Sequence, residues 1–143
     1  LVSDIRTVPS PLLHNLLHNK VMHDRVIFMT IDTLEVPWVP VSERVKVTDL
    51  GQNFYKVVAT FGFNNEIDVP HALSLCKPMG LEIMPMETSY FVGRETIVPT
   101  PGDGMALWRE RLFATMSRNA GTAAEYFKLP TNRVIELGTQ IEI

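Results

Sequence analysis

The spacing of apolar residues along this 143-residue chain changes several times, and each change predicts a new element. The first pattern is helical and begins at Ser10 and Pro11, because serine can cap free backbone amides and proline fits the first helical turn. This helix is expected to end near Lys20. Its predicted buried stripe consists of Leu12, Leu13, Leu16 and Leu17, and its other side consists of His14, Asn15, His18 and Asn19.

Three strands are predicted in the region after this helix. Residues 25–32 form a short run rich in β-branched side chains without polar alternation, which predicts a central strand buried on both faces. Residues 43–48 and 54–63 alternate instead, and residues 50–53 between them have the composition of a hairpin turn. The two alternating stretches are therefore expected to pair as a β-hairpin.

A second helix is predicted to begin after Asp68, which can cap its first turn. This helix is expected to lie against the sheet. Its apolar stripe consists of Val69, Ala72, Leu73 and Cys76. Residues 90–98 then predict another strand, in which Gly93 marks a bulge or a close backbone approach.

Two further helical patterns and a closing strand complete the predicted elements. The third helix starts at Gly104, the fourth covers residues 122–127, and residues 135–143 alternate as in a strand with one covered face. The stripe of the third helix consists of Met105, Trp108, Leu112 and Met116. Helices interleaved with strands, together with a hairpin, predict a single α/β domain with a mixed β-sheet and helices packed on it.

Charge and cysteine content narrow the class of protein. The net charge of -3, with interspersed signs, leaves no basic run for phosphates, so no nucleic acid partner is expected. The single cysteine, Cys76, cannot form an intramolecular disulfide and suits a reducing compartment. No apolar run approaches the roughly 18 residues that a membrane span needs. Because the chain begins with Leu1, we expect it to be a piece of a longer protein.

Two histidines form a weak candidate metal site. His14 and His18 are four residues apart on one helical face, and His23 or Asp24 could supply a third ligand. However, zinc hydrolases of this style carry a glutamate beside the first histidine, where this chain has Asn15. We therefore favour surface or hydrogen-bonded histidines and assign no metal ligand.

Cys76 is the candidate nucleophile of the chain. His71 lies five residues away on the same predicted helix, so the two side chains point to different faces. Cys76 is therefore expected to be a small buried apolar residue. We assign no catalytic residue and no cofactor, and we do not expect the chain to be an enzyme.

A cluster of charged residues is the most prominent polar feature of the second half. Planar guanidinium groups match carboxylates with paired hydrogen bonds. One interpretation is an interdomain or regulatory-ligand surface. The favoured one is internal, with strand residues Arg94 and Glu95 pairing with helix residues Arg109 and Glu110. The candidate interaction or regulatory surface consists of Arg94, Glu95, Arg109, Glu110, Arg111 and Arg118.

Several motifs point to one family over almost the whole chain. They are residues 12–20 (LLHNLLHNK), 87–95 (ETSYFVGRE), 105–113 (MALWRERLF), 117–120 (SRNA), 126–130 (YFKLP), 132–134 (NRV) and 136–138 (ELG). The chain resembles the cytoplasmic C-terminal domain of the bacterial potassium uptake permeases, the Kup/HAK/KT family.

The resemblance implies the nature of the whole protein. Members of this family have about a dozen transmembrane helices and move potassium into the cell with protons, and their tail lies at the cytoplasmic face of the cell membrane. For the tail the resemblance implies a role in regulation or assembly, without transport or catalysis of its own. No residue here is assigned to the potassium pathway.

The resemblance also implies partners. They are the transmembrane domain of the same polypeptide, a second copy in a homodimer, and a cyclic dinucleotide. The last is motivated as well by the arginine cluster and by the glycine-flanked turn at residues 101–104. The alternative is a small metal-dependent or ligand-sensing soluble α/β protein.

Overall fold

The strands of the domain are divided between two sheets. The computed structural model describes residues 9–98 and 121–142 and the helical positions 108–109, 111–112 and 115–116, and it covers the backbone alone at 95–98 and 139–142. The described strands are β1 (Val26–Leu34), β2 (Val45–Gly51), β3 (Phe54–Gly62), β4 (Tyr90–Val98) and β5 (Val134–Glu142). One sheet has the order β1-β3-β2, and the other pairs β4 with β5. The α/β class and the mixed sheet are confirmed.

The three α-helices whose bounds lie within the described residues begin at different kinds of capping residue. They are α1 (Ser10–Asn19), α2 (Val69–Ser74) and α3 (Ala123–Tyr126). The predicted cap at Ser10 is wrong, because Pro9 is the residue before the first turn and no side chain caps it. Asp68 does cap α2, where its Oδ1 accepts a hydrogen bond from the His71 amide at 2.8 Å. Thr122 and Glu125 form a reciprocal capping box on α3.

The predicted β-hairpin is confirmed as β2 and β3. Gln52 and Asn53 have φ angles of 52° and 63° between the two strands. A two-residue turn with both φ angles positive matches the right-handed twist of a hairpin, and asparagine tolerates this conformation better than most residues. The turn therefore brings Val45 opposite Ala59 and Val47 opposite Val57.

The prediction that the first strand is central and buried on both faces is wrong. Within the described residues β1 pairs, in parallel, with β3 alone, and of its side chains just Met29 is buried. The physical reason is that β3 has neighbours on both sides, since β2 reaches its other edge through the short hairpin. Val57, Ala59 and Phe61 of β3 supply the buried face.

One core joins the two sheets and two of the helices. Val69, Ala72, Leu73 and Cys76 are buried in it, so α2 lies against the sheet as predicted. The buried cluster consists of Met29, Val45, Val57, Ala59, Phe61, Val69, Ala72, Leu73, Cys76, Leu81, Tyr90, Val92, Ala124 and Leu129. Val134 of β5 packs against this cluster and ties the end of the chain to it.

The other side of β4 faces α1. Gly93 keeps a regular register opposite Leu137, so it is not a bulge. A Cβ atom at Gly93 would lie 3.5 Å from Cγ of the Pro11 side chain, an ordinary van der Waals distance, so the expected close backbone approach is not found at Gly93 either. The first turn of α1 thus contacts β4 at Gly93, where a small side chain would also fit.

Two predicted stripes are not covered as expected. On α1 the leucine stripe is only partly buried, because Leu13 is 44% and Leu17 is 69% exposed, whereas Asn15 is 7% exposed. The helical positions after β4 also leave their apolar residues outside, since Trp108, Leu112 and Met116 are all exposed. Helical periodicity identified these helices but not the face that packs on the core.

Candidate functional site

A groove of about 590 Å³ lies between α1, β1 and β4. Its apolar lining includes Phe28, Met29 and Phe91. The ring of His23 lies edge-on to Phe91, with 5.6 Å between the ring centroids, at one wall of the groove. An apolar concave surface with a small number of polar groups is the usual form of a binding site.

Asn15 organises the C-terminal end of α1, the helix that forms one wall of the groove. Its Nδ2 donates to the Val21 carbonyl oxygen at 3.0 Å, and its Oδ1 accepts from Nδ2 of Asn19 at 2.8 Å. Lys20 turns the chain out of α1 with a φ of 54°. Asn15 therefore sets the angle at which the chain leaves α1 toward β1, and its polar atoms are used in doing so.

A side-chain hydrogen bond joins the segments that precede β1 and β4, and both of its residues line the groove. Arg25, just before β1, donates from Nη1 to the carbonyl oxygen of Glu82 at 2.8 Å. The Glu82 carboxylate in turn accepts from Nζ of Lys77 at 2.7 Å. This hydrogen bond lowers the pKa of Glu82 and raises the pKa of Lys77. Because both side chains are exposed, the pair contributes little to stability.

The hydroxyl of Tyr90 is the unusual polar group of this region. Tyr90 lines the groove and is 8% exposed. Its oxygen is buried and has no hydrogen-bond partner among the described residues. Burial raises the pKa of Tyr90, because the charged phenolate would be poorly solvated there. A buried hydroxyl without a partner is a site where water or a ligand group would lower the free energy.

The predicted charged surface lies partly within the described residues. Nη1 of Arg94 lies 3.6 Å from Oε2 of Glu136, so Arg94 contacts the neighbouring strand β5. The guanidinium carbon of Arg109 lies 5.3 Å from the centroid of the Trp108 ring. Arg109 and Arg111 are both exposed, which does not suit the buried ion pair favoured from the sequence. Glu110, Arg118 and the side chain of Glu95 lie outside the described residues, as does the turn at 101–104.

The candidate metal and thiol residues are placed as follows. The rings of His14 and His18 stack with 5.8 Å between centroids on one side of α1. No group of three or more metal-binding side chains occurs in the part of the chain that the structure describes. Cys76 is buried, and this burial raises the pKa of its thiol to about 11, which disfavours the nucleophilic thiolate.

Comparison with known families decides where the chain belongs. Residues 1–143 match the model described as "K+ potassium transporter C-terminal domain". The chain belongs to this family. It is 57% identical over 136 residues to a probable potassium transport system protein Kup of Nitrosospira multiformis, and 53% identical over 143 residues to one of Aromatoleum aromaticum. A Kup 1 protein of Rhodopseudomonas palustris is 56% identical over 136 residues.

This potassium transporter C-terminal domain is much shorter than the relatives it matches. The alignments cover 95% to 100% of the chain but 22% of each of these three relatives. No solved structure matches it. In the described residues, every helix is too short or too polar to cross a membrane.

The groove of this C-terminal domain could not be predicted from the sequence. Most of its lining comes from residues 9–29 and 82–92, with Asn53, Val69 and Leu73 added. These segments are distant in the chain, and no local period shows that they meet. One signal was present in Asn15, a polar residue between two pairs of leucines. Its burial decides which face of α1 turns toward β4.

Proposed function

We propose that this chain is a cytosolic regulatory or assembly domain of a potassium uptake transporter, whose full-length form carries potassium into the cell together with protons. The observation that carries this proposal is the match of residues 1–143 to the potassium transporter C-terminal domain family. The names of the relatives, potassium transport system proteins, support potassium as the substrate of the whole protein. The domain itself neither transports nor catalyses.

The described residues support a non-catalytic role. The thiol of Cys76 is buried, and its raised pKa keeps it protonated near neutral pH. Both polar atoms of the Asn15 side chain form hydrogen bonds near the end of α1. A free cysteine in the core also suits a reducing compartment, which supports a position at the cytoplasmic face of the cell membrane. The transmembrane domain of the same polypeptide is the first partner.

The proposed interaction or regulatory surface is the arginine cluster of the second half. Arg109 and Arg111 are exposed, and Arg94 is half-exposed beside Glu136. These guanidinium groups are therefore accessible to carboxylates or phosphates on a partner. Glu95, Glu110 and Arg118 belong to the same proposed surface.

Potassium uptake by the full-length transporter tests the proposal. A version that stops before this domain is compared with the full-length protein in cells that lack other potassium uptake systems. The rate is divided by the number of transporters in the membrane, which a tag at the amino terminus measures. A regulatory domain predicts a change of about fivefold or more in the rate per molecule. An assembly domain predicts fewer molecules in the membrane at an unchanged rate per molecule.

Two controls make this experiment decisive. Uptake is repeated with a protonophore, because coupling to protons requires that uptake fall when the proton gradient collapses. The variant Leu50→Ser changes an exposed hairpin residue and should match the full-length protein. An unchanged rate and an unchanged number of molecules after removal of the domain would overturn the proposed function.

Ligand sensing is the second candidate function, and the groove beside Tyr90 favours it. A cyclic dinucleotide is the proposed ligand for the arginine surface, and the absence of heat in a calorimetric titration with cyclic di-AMP would contradict it.

A homodimer is a further proposal, and a monomeric mass by light scattering across a wide concentration range would exclude it for the isolated domain. A metal-dependent protein requires bound metal in elemental analysis of the purified chain.

A further inference from the structure

The outward face of α1 carries large apolar side chains that remain exposed in the described structure. Leu12, Leu13, Leu16 and Leu17 form one continuous stripe on the helix. Leu12 and Leu16 are partly covered, whereas Leu13 is 44% and Leu17 is 69% exposed. Residues four apart are neighbours on a helix surface, so these two leucines form one apolar patch. We call Leu13 and Leu17 the outer leucine pair.

Local contacts hold the outer leucine pair in its outward position. Asn15 is the buried residue of the helix, and its hydrogen bonds to Val21 and Asn19 are satisfied in this orientation. On the same inward side, Pro11 rests against Gly93 of β4. Rolling α1 to bury the leucines would expose Asn15 and separate Pro11 from Gly93. The outward orientation is therefore a property of the fold.

The position of α1 in the chain indicates what covers this pair. The family is a C-terminal domain, and the chain spans 22% of its relatives, so most of their length lies before the region that matches it. Eight residues precede Pro9, and even fully extended they span no more than about 28 Å. A preceding part of the polypeptide is thus held within a short distance of α1.

We infer that the outer leucine pair docks on the part of the same polypeptide that precedes this chain. This inference rests on the proposed function, since it takes that part to be the transporter's membrane domain. Leu13 and Leu17 pack against an apolar surface of that domain. α1 then forms the joint between the two, with its inner face on β4 and its outer face on the partner.

Accessibility of a single introduced cysteine in the full-length transporter tests this inference. Leu17→Cys is compared with Leu50→Cys, a matched leucine that is 50% exposed on the β2–β3 hairpin. Both are placed in a background without other reactive cysteines and are labelled in membranes with a polar maleimide. Although Leu17 is the more exposed of the two in the domain, its variant is expected to react at least about tenfold more slowly, because the docked site must open first. Both variants must label fully after denaturation in SDS.

Each outcome decides the matter. Slow labelling of the Leu17→Cys variant that persists in detergent and on dilution supports docking within one polypeptide. Equal rates for the two variants overturn it. Protection that disappears on dilution assigns the covering to a second copy, and protection that disappears when detergent replaces lipid assigns it to the bilayer surface; both overturn the inference. Unchanged uptake without the domain would overturn the proposed function and leave the labelling comparison unaffected.

Discussion

Asn65 offers the sharpest test of how the loop after β1 is held to the sheet. Its Oδ1 accepts two backbone hydrogen bonds of 2.8 Å, one from the amide of Val39 and one from the amide of Gly62. Val39 is a buried residue of the loop after β1, and Gly62 is the last residue of β3. One side-chain oxygen therefore joins a loop to the central strand.

The expected cost of Asn65→Ala follows from these two contacts. The substitution leaves two largely buried amides without an acceptor, and each such group costs about 1–3 kcal/mol. Allowing for partial access of water, we expect a loss of about 2–4 kcal/mol in the free energy of unfolding. For a domain of this size that corresponds to a decrease in Tm of roughly 8–15 °C.

Urea unfolding of the purified domain, followed by tryptophan fluorescence and far-UV circular dichroism, measures this loss. Asn65→Asp keeps an oxygen acceptor for both amides and is expected to stay within about 1 kcal/mol of the unchanged protein at pH 7. Asn64→Ala removes a neighbouring exposed asparagine and serves as the control. Equal stability of Asn65→Ala and Asn64→Ala would refute the reasoning.

Three further predictions concern the cap of α2, the buried thiol and the exposed arginine. Asp68→Ala should destabilise the domain by about 1 kcal/mol in urea unfolding, whereas Asp68→Asn should retain most of the cap. The raised pKa of Cys76 implies stability that is complete below pH 9.0 and is lost as the pH rises toward about 11. The stability difference between the unchanged protein and Cys76→Ala should therefore shrink across that interval, and a constant difference would contradict the burial argument. Arg109→Ala should change the free energy of unfolding by less than about 0.5 kcal/mol, since the side chain is exposed; a loss of several kcal/mol would instead reveal a buried acidic partner.

Local sequence signals predicted most of the elements because each depends on neighbours in the chain. Residue type and short-range spacing predicted the cap at Asp68, a turn within residues 50–53 and the strand at 90–98, and the structure confirms each of them. The expectation of a bulge or a close backbone approach at Gly93 is wrong, because Gly93 keeps its register opposite Leu137 and only the Pro11 ring lies near it, at an ordinary contact distance.

The misplaced features depend on contacts between distant segments. The apolar run at residues 25–32 looked central, but the central position belongs to β3, which pairs with strands on both sides. The leucine stripe of α1 was expected to be buried, but Asn15 lies on the buried side of the helix and Leu13 and Leu17 remain exposed. A hydrophobic period shows that a helix has an apolar face. Tertiary contacts decide whether that face points toward the core.

The same limit applied to the candidate site. The sequence grouped the arginines by their proximity in the chain, and the structure paired Arg94 with Glu136 across two parallel strands. Parallel strands are joined by long connections, so their partners are distant in the sequence. The groove between α1, β1 and β4 escaped notice for the same reason.

The parallel pairing of β4 with β5 has a consequence for biosynthesis. Tyr90 lies opposite Val134 at the start of the ladder, and Val134 also packs against the core. During translation β4 must wait for residues 134–142 to leave the ribosome before it can form its backbone hydrogen bonds. A premature stop codon just ahead of β5 would leave an apolar strand with an open edge, a species prone to aggregation and a ready target for cellular proteases.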